Sequence, residues 1–173
     1  GDAPMTMGEV VSAISEATGN DAIIVTDVGQ NQMMSARYSR FRHPRSFISS
    51  GGLGTMGFGL PAAIGAKIGR PDRTVVTFLG DGGFQMTMQE LGTIMQYGVD
   101  VKIVVMDNDF LGNVRQWQQL FYKQRFSQTP LLNPDFLTIA RAYNIDGMTV
   151  SRREDLKKGI DTMLGHDGSY LLC

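Results

Sequence analysis

The sequence predicts an α/β fold, a doubly wound and mostly parallel sheet with helices on both faces. Short, continuous apolar runs alternate with segments whose apolar residues recur at helical spacing, which is typical of parallel strands covered on both faces. Turn-forming Gly, Asp and Asn residues follow several of the apolar runs. A length of 173 residues is enough for one domain with a substantial core.

In the first half of the chain, apolar residues recur at helical spacing within 6–18, and Gly19 with Asn20 predicts the end of this helix. A compact apolar run over 22–26 predicts a strand that ends at Asp27. The elements predicted next are a short helix over 31–38, a short strand over 46–49, a glycine-rich turn over 51–59 and a helix that continues to 67.

In the second half, Pro71 and Asp72 separate that helix from a buried strand over 74–79. Ligands of such sheets bind beyond the carboxyl ends of the strands, so the residues that directly follow the strands are the candidates for chemistry. The elements predicted next are a helix over 85–97, a strand over 101–106, helices over 114–122 and 134–143, a strand near 148, a helix over 152–164 and a terminal strand.

Composition and charge narrow the classes of partner. With 16 Lys and Arg against 17 Asp and Glu, the formal net charge is −1, which gives no electrostatic reason to expect nucleic acid or an anionic membrane. The one basic cluster, within 37–45, is interpreted as a solvated turn. No signal peptide or long apolar run is evident, and the lone Cys173 fits a reducing compartment. We therefore expect a cytoplasmic protein.

Two neighbouring strand ends carry oxygen ligands suited to a hard cation. Asp81 lies between two glycines directly after one buried strand, and Asn108 follows the next strand along the chain. Neighbouring parallel strands would bring the Asp81 carboxylate and the Asn108 amide oxygen to one edge of the sheet. Such a pair suits Mg²⁺ or Ca²⁺, and Mg²⁺ usually completes its shell with water and phosphate oxygens. The sequence therefore predicts half of a magnesium site that a diphosphate completes, although either turn alone also fits an ordinary cap.

A second interpretation comes from the glycine-rich turn. Residues 52–57 satisfy the dinucleotide-binding pattern G-x-G-x-x-G, and Asp72 follows at about the distance of a ribose-binding acid. The preceding strand is short and half polar, however, and Asp72 precedes the next strand instead of following it. A nicotinamide- or flavin-dependent oxidoreductase is therefore the weaker alternative.

Several stretches carry a resemblance to a known family. They are DVGQ at 27–30, SGGLGTMGFGLPAAIG at 50–65, and a run from GDGGFQ at 80–85 to VRQWQ at 114–118. Over nearly its whole length, from about Thr6, the chain resembles the thiamine-diphosphate enzymes, and most closely the acetohydroxyacid synthase (acetolactate synthase) family. The resemblance implies the thiamine-diphosphate-binding fold and identifies the chain as a C-terminal cofactor domain.

The resemblance assigns a role to each site residue. Asp81 and the side chain of Asn108 would ligate magnesium, together with the backbone carbonyl of Phe110. The cofactor would be held at its diphosphate by Gln30, Asn31, Gly82 and Gly83, and at its aminopyrimidine by the backbone of Gly54 and Met56.

Two further roles concern the shape of the site. The Met56 side chain would lie beneath the cofactor and support its bent conformation, which brings the 4′-amino group towards the thiazolium C2. Asn113 and Trp117 would line the pocket for the second keto acid. Four residues depart from the family pattern: Asn31 for a common His, Gly83 for a frequent Ser, Asp107 for the first Asn of the usual pair, and Asn113 for a pocket Met.

The family also implies the activity of a longer protein. Acetolactate synthases decarboxylate pyruvate and condense the carbanion with pyruvate or 2-ketobutyrate, in branched-chain amino-acid biosynthesis. The Glu that activates the cofactor lies in the N-terminal pyrimidine-binding domain of a neighbouring subunit, and FAD binds mainly in a middle domain. Because the sequence stops within the apolar run 170–172, we interpret 1–173 as the C-terminal thiamine-diphosphate- and magnesium-binding domain of a longer enzyme. We expect no catalytic residue in it, a homo-oligomer, and a regulatory subunit as a further candidate partner.

Two alternatives stay open at this point. Another thiamine-diphosphate enzyme, such as a pyruvate oxidase, a decarboxylase or a carboligase, shares the spacing from Asp81 to Asn108, although Trp117 favours the synthase. A binding or assembly module without activity is also compatible, because half of the active site would lie elsewhere. The chain alone is expected to bind cofactor weakly and to catalyse nothing.

Overall fold

The computed structural model describes residues 4–173. Within that range no helix combines the length and hydropathy needed to cross a membrane. The strands are β1 (Ile23–Thr26), β2 (Phe47–Ile48), β3 (Val75–Gly80), β4 (Lys102–Met106), β5 (Asp146–Met148) and β6 (Tyr170–Leu172). The helices are α1 (Met7–Ala17), α2 (Gln30–Tyr38), α3 (Gly59–Gly69), α4 (Asp81–Thr87), α5 (Leu91–Tyr97), α6 (Gly112–Phe121), α7 (Phe136–Ala142) and α8 (Arg153–Gly165).

The six strands form one sheet in the order β2-β1-β3-β4-β6-β5, and every pair of neighbours is parallel. The fold prediction is confirmed, with a sheet that is wholly rather than mostly parallel. The chain leaves β1 for the edge strand β2 and then returns to the other side of β1 to form β3. At such a reversal the connections diverge, and a crevice opens beyond the carboxyl ends of the two strands.

Each face of the sheet is covered by its own layer of helices. Alternate strand residues point to opposite faces, as Ile24 and Val25 of β1 do. Val25 belongs to a core with buried residues of α3, α5 and α7, whereas Ile24 belongs to a core with α1 and α8. Because β1, β3 and β4 are buried on both faces, their sequences are almost continuously apolar.

The helix predicted over 85–97 begins earlier than expected and is interrupted. It starts as α4 at Asp81, after an extended Gly80, and a 3₁₀ turn at Met88–Glu90 separates α4 from α5. The two glycines that follow Asp81 have a low helix propensity and concealed this first turn in the sequence. The early start places Asp81 in the first turn of a helix at the edge of the sheet.

Glu9 links the start of α1 to α8 through an ion pair. Its carboxylate accepts a hydrogen bond from the Thr6 backbone N–H in a capping box and pairs with Arg153 at 2.9 Å. The hydrogen bond from Arg153 is the largest of the effects that lower the pKa of Glu9 from 4.5 to about 2. Because the pKa is lower in the folded state, this stabilisation is complete above pH 4.5 and is lost as the pH falls towards about 2.

Replacing Glu9 with Gln is therefore expected to reduce stability at neutral pH and to have little effect near pH 2. Chemical denaturation of wild type and variant across this range would measure the difference in unfolding free energy at each pH. Glu16→Gln, at an exposed position of the same helix, is the matched control. A difference that stays constant down to pH 2 would contradict the assigned role of Glu9.

Candidate functional site

A cleft opens beyond the carboxyl ends of β1, β3 and β4, where the strand order reverses. It encloses about 610 Å³ of space, part of it open to solvent. Gly54 and Trp117 lie outside its lining. The other residues predicted for the site line its walls: Gln30, Asn31, Met56, Asp81, Gly82, Gly83, Asn108, Phe110 and Asn113.

Asp81 and Asn108 meet at one edge of the sheet. Their strands, β3 and β4, are direct neighbours, with Gly80 opposite Met106, so the residues that follow are adjacent. The Asn108 backbone N–H donates to Asp81 Oδ2 at 3.4 Å, and the Gly82 N–H donates to Asp81 Oδ1 at 2.9 Å. Asp81 is only 2% exposed. A buried carboxylate beside an amide oxygen is the hard-oxygen type of ligand set that Mg²⁺ prefers.

The chain after β4 forms a turn that is fixed by several contacts. Asn108 Oδ1 accepts from the Phe110 N–H at 3.2 Å, and Asp109 between them has a φ of 58°, in the left-handed region. Phe110 pairs with Pro130 in an antiparallel bridge, and the Arg115 guanidinium lies 4.0 Å from the centre of its ring. These contacts hold the backbone of Phe110, whose carbonyl is the third predicted metal ligand.

One residue at this edge, Asn133, was not predicted from the sequence. Its Nδ2 group donates to Asp81 Oδ2 at 2.8 Å and to Asp107 Oδ1 at 2.7 Å, and lies 3.3 Å from Asp109 Oδ1. Its Oδ1 accepts from Gln85 Nε2 at 2.9 Å. An Asn before a Pro in a polar loop resembles an ordinary turn residue, and 52 positions separate it from Asp81. No local sequence signal identifies it.

A second carboxylate, Asp27, holds the glycine-rich turn against the sheet. It follows β1 and is 1% exposed. The Gly57 N–H donates to both of its oxygens, at 2.9 and 3.1 Å, and the Val28 N–H donates at 2.7 Å. Burial raises the pKa of Asp27 above its usual value, and these backbone hydrogen bonds oppose the rise. Because Gly57 is anchored in this way, the adjacent Met56 is held at the cleft.

Gly82 and Gly83 form a cradle with little room for side chains. A Cβ at Gly82 would lie 2.9 Å from the end of Leu111 and 3.0 Å from the end of Met56. A Cβ at Gly83 would lie 2.5 Å from Asp27 Oδ2. Backbone without side chains allows a ligand to approach its N–H groups closely. The cradle therefore suits a ligand that hydrogen-bonds to backbone.

Three helices, α2, α4 and α6, begin at the cleft. None of the three has a side-chain cap, which is also true of α3, α5 and α8, whereas Thr6 caps α1 and Asp135 caps α7. The first N–H groups of a helix lack intrahelical partners, and together with the positive end of the helix dipole they attract anions. The cleft thus offers backbone donors to an anion from several directions.

Asn31, in the first turn of α2, has a buried atom without a partner. The residue is 3% exposed, and its Nδ2 donates to the Val28 carbonyl at 3.4 Å. Its Oδ1 has no hydrogen-bond partner within 4–173. A buried polar atom that is unsatisfied at the wall of a cleft points to a partner outside the chain. Asn31 is thus placed to contact a ligand directly.

The charge in the cleft is unusual for an anion site. Its lining within 4–173 includes the Asp81 carboxylate but no Lys or Arg. Asp107 and Asp109 bring two more carboxylates close by, linked to Asp81 through Asn133. A phosphate would be repelled here unless a cation accompanied it. The described residues contain no group of three or more His, Cys, Asp or Glu that could hold a metal, so a cation would depend on neutral oxygens and on the anion.

The two predicted pocket residues differ in their distance from the cleft. Asn113, near the start of α6, lines it close to Gly29. Trp117, one turn further along, is 56% exposed and packs against Phe121 with ring centres 4.9 Å apart. No residue of α6 is buried by the rest of residues 4–173. Trp117 therefore lies beside the cleft and faces outwards.

The geometry does not fit a dinucleotide site. Asp72 lies before β3, at the amino end of the strands, whereas the cleft lies at their carboxyl ends. Its carboxylate pairs with Arg70 at 2.7 Å. An acid in that position cannot contact a ribose bound in the cleft.

Comparison with protein families decides between the two classes of cofactor. The sequence profile described as "Thiamine pyrophosphate enzyme, C-terminal TPP binding domain" matches residues 27–173. The chain belongs to this family. Thiamine pyrophosphate is a second name for thiamine diphosphate, so the resemblance and the class of cofactor predicted from the sequence are confirmed.

Curated relatives of this TPP-binding domain are acetolactate synthases. The chain is 49% identical over 164 residues to acetolactate synthase isozyme 2 large subunit of Escherichia coli (strain K12). It is 53% identical over 138 residues to the acetolactate synthase large subunit of Lactococcus lactis subsp. lactis (strain IL1403). These alignments cover 94% and 79% of the chain, but only 30% and 24% of the relatives. The chain thus spans less than a third of the length of either relative.

Solved structures of decarboxylases share the fold. The thiamine diphosphate-dependent 4-hydroxybenzoylformate decarboxylase of Rhodococcus jostii RHA1 matches with a TM-score of 0.90 and 25% sequence identity, over 99% of the chain and 32% of the decarboxylase. Benzoylformate decarboxylase from Polynucleobacter necessarius matches with a TM-score of 0.86 and 26% identity, over 98% of the chain and 32% of that enzyme. The TPP-binding domain therefore has the α/β fold of these two decarboxylases.

Proposed function

We propose that this TPP-binding domain is the C-terminal thiamine-diphosphate- and Mg²⁺-binding domain of an acetolactate synthase. The full-length enzyme would decarboxylate pyruvate and condense the product with pyruvate or 2-ketobutyrate, in cytoplasmic branched-chain amino-acid biosynthesis. One observation carries the magnesium assignment: a cleft with uncapped helix N-termini and a buried carboxylate, but no Lys or Arg in its described lining. A diphosphate suits those helix ends only if a cation offsets the carboxylate.

The proposed magnesium ligands are the side chains of Asp81 and Asn108 and the backbone carbonyl of Phe110. Mg²⁺ prefers oxygen ligands and commonly takes the rest of its octahedral shell from phosphates and water. The hydrogen bonds that Asp81 accepts from Gly82 and Asn133 support a carboxylate with a fixed orientation. A fixed ligand loses less entropy when it binds a cation.

The proposed diphosphate contacts are Gln30 and Asn31 at the start of α2, and Gly82 and Gly83 at the start of α4. The backbone N–H groups of the two glycines would donate to the phosphate oxygens. Asn31 would donate through the amide nitrogen of its buried side chain, because its unpaired oxygen can only accept. Bound thiamine diphosphate would supply the electron sink that stabilises the carbanion formed on decarboxylation. The task of these residues would be to anchor and orient it.

Gly54 and Met56 are proposed to hold the other end of the cofactor. The backbone of both would contact the aminopyrimidine, and the Met56 side chain would support the bent conformation. The anchoring of Gly57 by the Asp27 carboxylate supports this assignment, because it fixes the turn that carries Met56. The end of the Met56 side chain also lies close to Gly82, 3.0 Å from where a Cβ would stand there.

Asn113 and Trp117 are proposed to face the keto-acid substrate, and Trp117 also to face another part of the enzyme. An exposed Trp and Phe pair on a helix without buried residues favours a covering partner. We propose the N-terminal pyrimidine-binding domain of a neighbouring subunit, which would bring the activating Glu. FAD in another domain, a homo-oligomer and a regulatory subunit complete the proposed assembly.

A second candidate is a thiamine-diphosphate decarboxylase that releases an aldehyde. The observation in its favour is that two solved decarboxylases share the fold, with TM-scores of 0.90 and 0.86. Their sequence identities of 25% and 26% are about half of those to the acetolactate synthases, at 49% and 53%. The synthase is therefore the stronger candidate.

Product analysis of the full-length enzyme with pyruvate, thiamine diphosphate and Mg²⁺ would separate the two candidates. We expect acetolactate from pyruvate alone and a mixed acetohydroxyacid when 2-ketobutyrate is added. We also expect activity to disappear on chelation of divalent cations and to return with Mg²⁺. Acetaldehyde as the main product would contradict the synthase assignment and favour the decarboxylase.

A further inference from the structure

Asn133 joins two segments of the cleft that are distant in sequence. Its Nδ2 group reaches the Asp81 carboxylate in α4 and the Asp107 carboxylate after β4, at 2.8 and 2.7 Å. Its Oδ1 accepts from Gln85, one turn further along α4, at 2.9 Å. The loop residue is therefore bonded to both strand ends from which the proposed magnesium ligands come.

The Asn133 amide donates hydrogen bonds within a group of carboxylates. The carboxylates of Asp81, Asp107 and Asp109 converge on it, and within 4–173 none of them forms an ion pair with Lys, Arg or His. Asn133 is the side chain that donates a hydrogen bond to Asp81 in this structure. Without that donor, only the backbone N–H groups of Gly82 and Asn108 would hold the Asp81 carboxylate, and repulsion from the neighbouring carboxylates would weaken its orientation.

The orientation of the amide follows from its partners. Gln85 Nε2 can only donate, so it requires the Asn133 oxygen on its side, and the carboxylates require the Asn133 nitrogen on theirs. The reverse orientation would place an oxygen against carboxylates and a nitrogen against a donor. The carboxylates, which can only accept, therefore fix the direction in which Asn133 donates, and Gln85 completes the set of partners.

We propose that Asn133 is a positioning residue for the magnesium site, which holds the Asp81 carboxylate in the orientation that binds the cation. The proposal rests on the function proposed above. Outer partners that orient metal ligands typically change metal affinity by about 10- to 100-fold when they are removed. Replacing Asn133 with Ala is therefore expected to raise the half-saturating Mg²⁺ concentration for thiamine diphosphate binding by about 10-fold or more.

The experiment is a calorimetric titration of the full-length enzyme with Mg²⁺ at saturating thiamine diphosphate, together with thermal unfolding of each protein without metal. Asn144→Gly is the matched control, because Asn144 is exposed, has a φ of 56° that Gly adopts readily, and lies outside the cleft lining. The control should keep the half-saturating Mg²⁺ concentration of the wild type. Gln85→Leu should raise it in the same direction as Asn133→Ala, by a smaller factor.

The outcomes separate this proposal from the one on which it rests. Cofactor binding by the wild type without any need for Mg²⁺ would overturn the proposed function. A wild type that needs Mg²⁺, with an unchanged half-saturating concentration in Asn133→Ala, would overturn only the role of Asn133. An Asn133→Ala protein that unfolds at a lower temperature but keeps the wild-type half-saturating Mg²⁺ concentration would likewise overturn only the role of Asn133. If Asn133→Ala does not fold, an unchanged value in Gln85→Leu would overturn the proposal.

Discussion

Replacement of Asp81 with Asn is expected to weaken the binding of thiamine diphosphate in the presence of Mg²⁺ by more than about 100-fold. Removal of a group that only orients a metal ligand costs at most about that much, and Asp81 is proposed to be a ligand itself. The substitution keeps the size of the side chain but removes the charged ligand at the edge of the sheet. Binding calorimetry at fixed Mg²⁺ would measure the loss, and a higher Mg²⁺ concentration should restore part of it by mass action. Asn is a much weaker ligand for Mg²⁺ than a carboxylate.

The stability of Asp81→Asn without cofactor tests whether weaker binding could result from unfolding alone. The Asn side chain relieves repulsion from Asp107 and Asp109 but turns an amide nitrogen towards one of the N–H groups that donate to buried Asp81, so the cofactor-free variant should lose no more than about 1 to 3 kcal/mol and remain folded. Asp161→Asn, on the exposed side of α8, is the matched control and should bind cofactor as the wild type does. Wild-type affinity of Asp81→Asn would contradict the magnesium site. An Asp81→Asn protein that does not fold without cofactor would contradict this view of its surroundings.

Replacement of Gly59 with Ala is expected to have the largest effect on the fold near the cleft. A Cβ at this position would contact the end of Leu79, the Asp27 backbone nitrogen at 2.9 Å and the Asp27 Cα at 3.2 Å. Asp27 directly follows β1, and its N–H donates to the Phe78 carbonyl of β3 at 3.0 Å, so its backbone cannot move without disturbing that hydrogen bond and the added methyl overpacks the core. Such overpacking costs about 1 to 3 kcal/mol of unfolding free energy.

Gly65→Ala, on the same helix α3, is the matched control for Gly59→Ala. A Cβ at Gly65 would have no heavy atom within 4 Å, so only helix propensity changes. The control should therefore gain about 0.5 to 1 kcal/mol. Denaturant unfolding of both variants would measure the two effects. Equal stability of the two variants would show that the contact between α3 and the end of β1 is looser than the structure indicates.

The alternation of apolar runs predicted the sheet and most of its elements. Continuous runs such as Ile23–Thr26 and Lys102–Met106 are buried on both faces, so the sequence pattern and the final environment agree. The predicted bounds of 85–97 left out the first turn of α4, although Gly82 and Gly83 were also interpreted as the opening of a helix that favours anions. The two glycines have poor helix propensity, and close packing against Asp27 and Met56 requires glycine there. Tertiary contacts outweighed local preference at this point.

The candidate site was predictable only where its residues directly follow strands. Asp81 and Asn108 could be paired because β3 and β4 are consecutive in sequence and adjacent in the sheet. Asn133 joins them from a loop, through contacts that no spacing rule describes. The anchoring of Gly57 by Asp27 was missed for the same reason, since 30 residues separate the two. Contacts between loops depend on the final fold.

The most direct test of the central claim is a crystal structure of the full-length enzyme with thiamine diphosphate and Mg²⁺. The account predicts a cation about 2.0 to 2.1 Å from an oxygen of Asp81 and from Asn108 Oδ1, with a diphosphate completing its shell at the start of α2 and α4. A cation bound elsewhere, or a diphosphate held without contact to either residue, would contradict it.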